Sequence, residues 1–433
     1  MLDLLLPLKE IITHKSLYGR LVHVVQSSYG FVGRFSLTNL SRWTFGPGGS
    51  LSTLERFFAD DHDWNTYLMV ILSPFLKLML GDIILSVDQT TGKKSGKCTF
   101  GKSKNYDSKT QRVIPSISVL AISLIHTKSK ISFPVSIKQL IYDTHTKKEK
   151  KKTPTKKGKV GRPKGSKNKP KEIAYTFQVL SNLLQQWKKL VETYCSFLQV
   201  KHIVADNAFG NESVRKMCQE GNLELISKLK SNAALFFPYQ GEYKTKPNKY
   251  GDKLIKTDLL KEYKVAQEKE NGKLVQEIYH ITNLWSKNIK VPLNVVIIKK
   301  YKDSKIAWSI LFSTDMELSA QKIIELYQTR FQIEFDFRDA RQHFGLTNFC
   351  NFEEKQVTNV IGNAFFMVTL SRIAYFKEWK DNPETKFSIL NLKAHFRANK
   401  YLFEIKNMFQ NDPLLFFSLE NANQIAGIGA IFT

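Results

Sequence analysis

Three carboxylates in this chain fall where acids can do phosphoryl chemistry. Asp88 closes the apolar run Ile83 to Val87 in "DIILSVDQTTG", Asp206 closes the run His202 to Ala205 in "HIVADNAFGN", and Glu334 lies within "YQTRFQIEFDFRDAR". A lone strand-terminal aspartate is usually a cap or turn residue. A lone glutamate among arginines is usually half of an i,i+4 pair worth about 0.2–0.5 kcal/mol. Two aspartates at strand ends followed by a glutamate on a later helix can instead converge on two Mg²⁺ (or Mn²⁺) ions about 4 Å apart. Such a pair activates a nucleophile and stabilises the leaving oxygen of an in-line phosphoryl transfer.

The glutamate has company of the right kind. At about 100° per residue, Tyr327, Arg330, Glu334, Arg338 and Arg341 fall within roughly 80° of one helix surface. Ile323, Ile324, Leu326, Ile333 and Phe337 supply the apolar surface on which that helix can dock. In the catalytic reading Glu334 is the third metal ligand, Arg330, Arg338 and Arg341 hold phosphates, and Tyr327 packs against or hydrogen-bonds the nucleic-acid backbone. In the plainer reading the stripe is a solvated face of Glu/Arg pairs, and this stretch alone leaves both open.

These side chains need a scaffold. The first 80 residues read as helical, broken at "TFGPGGS" before a serine-capped amphipathic segment, a unit that either binds DNA or packs on the rest. The run ending at Asp88 is followed by the strand patterns "RVIPSISVLAISLIHT" and "KISFPVSIKQL", which together suggest a three-strand meander. Residues 173–198 form a long amphipathic helix, and 199–232 read as strand, turn, helix, strand around Asp206. "KLVQEIYHITNLW" and "VPLNVVIIKKY" are further strands, and 376–433 is a helical extension without a catalytic pattern.

Composition points to the substrate. The 433 residues carry 65 Lys+Arg against 39 Asp+Glu, a net charge of +26 suited to a polyanion, with nucleic acid the leading candidate. Thirteen of the basic residues and a single acid, Glu149, fall in "THTKKEKKKTPTKKGKVGRPKGSKNKPK" at 144–171, which is too charged to build a core and is expected to be a disordered insert. Its inner part, "GRPKGSKNK", resembles an AT-hook, which would lay Arg162 and Lys164 in the narrow minor groove of A·T-rich DNA; a generic basic tether is the alternative. The four cysteines are scattered without zinc-ligand spacing, so neither a metal framework nor disulfides are indicated, and a reducing, nucleoid-associated cytoplasmic setting fits. Apolar runs such as 67–80, interrupted by Pro74 and Lys77, fall short of the roughly 20 residues of a membrane span, so no membrane partner is expected.

"SVDQTTG", "IVADNAFGN" and "STDMELSAQKIIELYQTRFQIEFDFRDARQHFGL" resemble the three acidic blocks of the DDE transposases of bacterial insertion sequences, in particular the group with a Y-x2-R-x3-E-x6-K signature. Arg341 departs from it by standing where that signature has lysine, and a planar guanidinium does not replace an ammonium contact for contact. The resemblance implies an α/β fold: an RNase H-like mixed five-stranded sheet flanked by helices, with a mainly β insertion and a helical N-terminal domain. The expected division is 1–80 helical, 81–236 the first part of the core, 237–309 the insertion, 310–375 the last part of the core, and 376–433 the extension. The implied activity is cut-and-paste transposition on double-stranded DNA, by a homodimer that brings terminal inverted repeats to a target. In related enzymes a flipped base rests on an aromatic residue. Trp285 and Trp308 are candidates here, with core packing as their plainer role. An RNase H-fold nuclease without strand transfer, a non-catalytic DNA-binding protein and an inactive element copy remain as alternatives.

Overall fold

The structure, a computed structural model, describes residues 2–408 apart from 46–47, 80, 108–109, 143–173, 241–249, 255–260, 272, 303–304 and 385. The basic insert with Arg162 and Lys164 and the last part of the C-terminal extension lie outside the described residues.

The N-terminal 80 residues are helical, as their capping signals require. A 3₁₀ segment, Leu2–Glu10, leads into α1 (Lys15–Gly30), α2 (Leu37–Ser41), α3 (Leu51–Ala59) and α4 (Trp64–Leu76). The side chains of Ser36, Ser50 and Asp63 accept the first free backbone N–H groups of α2, α3 and α4. This region does not stand apart from the remainder. Its buried side chains join one cluster with the strands and with α9 (Glu354–Asp381), where Trp64 Nε1 donates to Asn359 Oδ1 at 2.9 Å and Tyr29 Oη pairs with Ser371 Oγ at 3.0 Å. Gly362 lets α9 pass beneath Trp64, since a Cβ there would lie 2.2 Å from the indole. At 28 residues α9 is long and apolar enough to cross a membrane by length and composition, yet its apolar window is 83% buried among α3, α4, α8 and the sheet, as a core helix is.

The strands are β1 (Ile83–Lys93), β2 (Ser103–Asp107), β3 (Arg112–His126), β4 (Ile131–Leu140), β5 (His202–Ala205) and β6 (Glu224–Leu229). A second series follows: β7 (Leu235–Pro238), β8 (Tyr250–Lys253), β9 (Lys264–Glu270), β10 (Lys273–Ser286), β11 (Pro292–Lys302) and β12 (Lys305–Ser313). Helices α5 (Tyr175–Tyr194) and α6 (Glu212–Glu220) connect the first series, and α7 (Ala320–Thr329), α8 (Gln332–His343) and α10 (Ile389–Met408) follow the second, with α9 between α8 and α10.

Within the sheet β4, β3, β1, β5 and β6 are successive neighbours. The pairs β4–β3 and β3–β1 are antiparallel and the pairs β1–β5 and β5–β6 parallel, an arrangement consistent with an RNase H-like fold. The sheet does not stop at five strands. β12 adds antiparallel to β6, β11 and β10 follow, and among the described residues one open mixed sheet of twelve strands results. The mainly β segment expected as an insertion thus extends the central sheet through its last strand: β12 pairs with the backbone edge of β6 from Ile310↔Leu229 to Ser313↔Ile226, and its Ile310, Leu311 and Phe312 are buried there.

Candidate active site

Register brings the two aspartates together. β1 and β5 pair as Leu85↔Ile203, Ser86↔Val204 and Val87↔Ala205, and Asp88 and Asp206 are the next residue on each strand. Ile84 and Val204 are buried with Ile323 and Leu326 of α7. Asp88 stands four positions after Ile84 and Asp206 two after Val204, both even steps, so both carboxylates turn to the face that α7 covers. Asp206 ends its strand as expected, its Oδ1 accepting Asn207 N–H at 2.5 Å while its carbonyl accepts Ser227 Oγ–H at 3.0 Å. Asp88 does not. β1 continues to Lys93, because β3 keeps it paired through Asp88↔Ala121 and onward after β5 has diverged. The polar "QTTG" after it is strand with one neighbour fewer.

The helix expected to carry the whole stripe is two helices. α7 ends at Thr329, Arg330 and Phe331 form a 3₁₀-like turn with Ile333 N–H to Arg330 O at 3.2 Å and Glu334 N–H to Phe331 O at 3.1 Å, and α8 begins at Gln332. The apolar residues explain the break. On a straight helix Ala320, Ile323, Ile324 and Leu326 would point roughly 100° away from Ile333, Phe337 and Ala340. α7 lies over β5, β6, β11 and β12, while α8 lies over β1 and β4, so the joint lets each half follow its own part of a twisted sheet.

Arg330 sits at that joint and ties the acids together. Its Nη1 donates to Asp88 Oδ2 at 3.2 Å and its Nη2 to Glu334 Oε1 at 2.9 Å, and Tyr327 lies close enough for its hydroxyl to feel the same guanidinium. Burial pushes the Asp88 carboxyl up to about 6. Gln89 N–H and Arg330 oppose that rise, and the negative charges of Asp206 and Glu334 add to it. Two carboxylates therefore share one guanidinium, and Asp206 is close enough for its charge to act on Asp88. Among the described residues no three His, Cys, Asp or Glu side chains are gathered as a ready metal cage. The donor set nonetheless suits a hard divalent cation: it offers only carboxylate oxygens, and the charges of Asp206 and Glu334 add to the burial that raises Asp88.

The other residues of the stripe have partners of their own. Arg341 is half-buried and reaches back to β1, where its Nη2 bonds Thr90 Oγ1 and donates to Thr91 O at 3.3 Å. Lys94 reinforces the same seam by donating to Phe349 O at 2.5 Å and Thr347 O at 3.4 Å, and burial lowers its pKa to about 8. Arg338 is half-exposed one turn beyond Glu334, bonded to Asp339 at 3.0 Å and stacked 4.5 Å over Phe335. Exposed Phe331 packs edge-on to Phe335 beside the site. Trp285 and Trp308 are half-buried in β10 and β12, against the Tyr250 ring and the Lys299 ammonium.

Sequence reasoning missed the back of α8. Asp336 and Asp339 are buried; Asp336 accepts Ser123 Oγ–H at 2.9 Å and Ser132 Oγ–H at 2.6 Å, and Arg372 of α9 serves both aspartates. Burial pushes Asp336 up to about 7 against the pull of Arg372 and the two serines. Two acids at i and i+3 among Ile333, Phe337 and Ala340, on the docking face, were the available signal.

The family model described as DDE superfamily endonuclease matches residues 7–286, more than half of the chain, and so takes in the N-terminal helices, Asp88 and Asp206. The match ends before α7 and α8, so Glu334 stands on the geometry. A comparison with curated proteins finds none that matches. The matched span contains both adjacent aspartates of the site, and the chain belongs to the DDE superfamily endonucleases.

Proposed function

We propose that the chain is a transposase of the Y-x2-R-x3-E-x6-K group that nicks the ends of an insertion sequence and joins them to target DNA, with Asp88, Asp206 and Glu334 as its acid triad. The observation that carries this reading is the convergence on Arg330 of acids from a strand and a later helix, beside a second aspartate fixed by strand register. Mg²⁺ or Mn²⁺, one or two ions, bound by these carboxylates would supply Lewis acidity toward the scissile phosphate and a more acidic attacking water. Arg330 has two tasks in this reading: holding Asp88 and Glu334 in place, and offering its planar fork to a phosphate once a cation neutralises the acids. Tyr327 orients that guanidinium, and Arg338 is free enough at the surface to meet the backbone further along. Arg341 acts as a strut between α8 and β1, which explains why a guanidinium is acceptable where the signature has lysine. The enzyme would act in the cytoplasm on nucleoid DNA, as a homodimer in its DNA complex, as the resemblance implies.

The test is incubation of the full chain with supercoiled plasmid and Mg²⁺ or Mn²⁺, followed by joining of a 3′-hydroxyl oligonucleotide to that plasmid. Nicking with joining supports the transposase reading. Nicking without joining reduces it to a nuclease, and neither product with either metal would overturn it.

The raised Asp88 sets a pH dependence. Its folded pKa lies above the ordinary aspartate value, so the folded protein holds this proton up to about pH 6, and a cation must displace it below that. Mn²⁺ affinity measured by calorimetry is therefore expected to be nearly flat above pH 7 and to fall by about tenfold per unit below about pH 6, with proton uptake by the buffer in the acid range. A profile whose break lies near pH 4 would mean that Asp88 does not take part in binding.

The basic insert is proposed as the main source of sequence-independent affinity. Deleting 147–171 is expected to weaken binding to any duplex, by less as salt rises. If Arg162 and Lys164 form a minor-groove hook, Arg162→Ala removes a preference for A·T-rich over G·C-rich duplexes while most bulk affinity remains. Equal affinity of the intact chain for both duplexes would leave the insert a charged tether.

A further inference from the structure

β1 and β3 run on past the site. After Val87↔Ala205 β1 loses β5, but it stays paired with β3 as far as Lys93↔Ser116. β3 in turn carries β2 from Ser103↔Ser116 to Asp107↔Arg112. The roughly nine residues from Ala121, the neighbour of Asp88, to Arg112 reach roughly 30 Å at about 3.3 Å each, the length of about nine base-pair steps.

The far end of this ribbon is unlike a spare edge. Tyr106 and Val113 form a cross-strand pair and are 65% and 61% exposed. Alternation from Ala121 places Val113 and Pro115, with their partners Tyr106 and Lys104, on the face to which Asp88 points. Lys104 is exposed on that face and Arg112, next to Val113, is exposed on the opposite one, while Asp107 is the one acid between Gln89 and Ile117. Isolated exposed apolar residues need no explanation, but an aromatic and β-branched pair flanked by Lys104 and Arg112 and continuous with a phosphoryl-transfer site has the chemistry of a DNA contact. Two antiparallel strands about 4.8 Å apart fit within a major groove about 12 Å wide, with basic side chains at the phosphates of its rims.

We propose that the β2–β3 ribbon is an arm that engages the duplex flanking the cleavage position, with Lys104 and Arg112 on phosphates and Tyr106 and Val113 against sugars or thymine methyls. This rests on the DNA-cleaving reading above and adds a surface to it. The arm acts on binding; the chemistry stays with the triad.

The experiment uses the full chain and a fluorescein-labelled 40-bp duplex of mixed sequence, titrated from 50 to 300 mM KCl, alongside plasmid nicking. Lys104→Gln with Arg112→Gln is expected to lower the slope of log K against log salt by roughly two and to weaken binding at 0.1 M salt on the order of fiftyfold, since each lost phosphate contact removes about 0.9 from the slope. Tyr106→Ala is expected to weaken binding about five- to tenfold with the slope unchanged, because it removes an apolar contact and no charge. Both sites are exposed, and retention of Asp88-dependent nicking at saturating protein shows that the variants are folded. Wild-type affinity and slope in the double variant, with Asp88-dependent nicking intact, overturn the arm and leave the catalytic reading standing. A lost slope in a chain whose wild type shows no Asp88-dependent nicking overturns the catalytic reading and keeps the ribbon as a DNA-holding surface.

Discussion

Asp88→Asn, Asp206→Asn and Glu334→Gln are each expected to slow plasmid nicking on the order of a thousandfold or more, while binding of the same DNA is unchanged or tighter. The two effects separate because the acids act in different directions. A carboxylate that holds a cation against the scissile phosphate contributes transition-state stabilisation of roughly 4 kcal/mol, and losing that slows the reaction by about three decades. The same carboxylate repels DNA in the ground state, so its neutral amide removes a like charge from the binding surface. Arg330 still finds an acid in each single variant, since it bonds both Asp88 and Glu334. Nicking by Asp88→Asn within tenfold of wild type would remove that residue from the site. A parallel loss of binding and nicking would mean that the fold had been damaged.

The second large effect lies behind the site. Arg372→Met is expected to destabilise the protein by about 3–5 kcal/mol, the cost of leaving buried carboxylates without their cation. Arg372 serves Asp336 and Asp339, whose side chains are 0% and 4% exposed, so solvent cannot take over. The cost should depend on pH, and its sign follows from the raised Asp336. A carboxyl whose folded pKa is raised takes up a proton more readily in the folded state, so its contribution to stability falls as pH rises from about 4 through about 7. In the variant that rise is no longer restrained by Arg372, and the loss measured by urea unfolding is expected to be smaller at pH 5 than at pH 8. An equal loss at both values would mean that Asp336 and Asp339 are not the charges Arg372 neutralises. Asp336→Asn supplies a second reading of the same network: it keeps the serine contacts and removes one charge, and it should restore part of the stability lost in Arg372→Met.

Much of the site was legible because its signals are local. The apolar runs before Asp88 and Asp206, the capped segment after "TFGPGGS", the strands around Val113 to Leu140 and the helix from 175 to 194 all announce themselves by period and by cap chemistry, which neighbours along the chain decide. The position of Arg330 between two acids could be guessed from i,i+4 spacing to Glu334, but its bond to Asp88 could not, because the two lie 242 residues apart.

The sequence by itself determined the acids, the basic excess and the order of elements, since composition, spacing and alternation are properties of the chain before it folds. Only the tertiary structure decided that β1 runs through Asp88 to Lys93, that the Glu334 helix breaks at Arg330, and that Arg341 faces inward to Thr90 while Arg338 faces out. It also decided that the strands after β6 join the central sheet. In each case the reason is the same. A strand continues as long as a neighbour satisfies its backbone, a helix bends where two apolar stripes must meet one twisted sheet, and an arginine turns inward where a strand edge offers it acceptors. Each of those partners comes from a remote part of the chain.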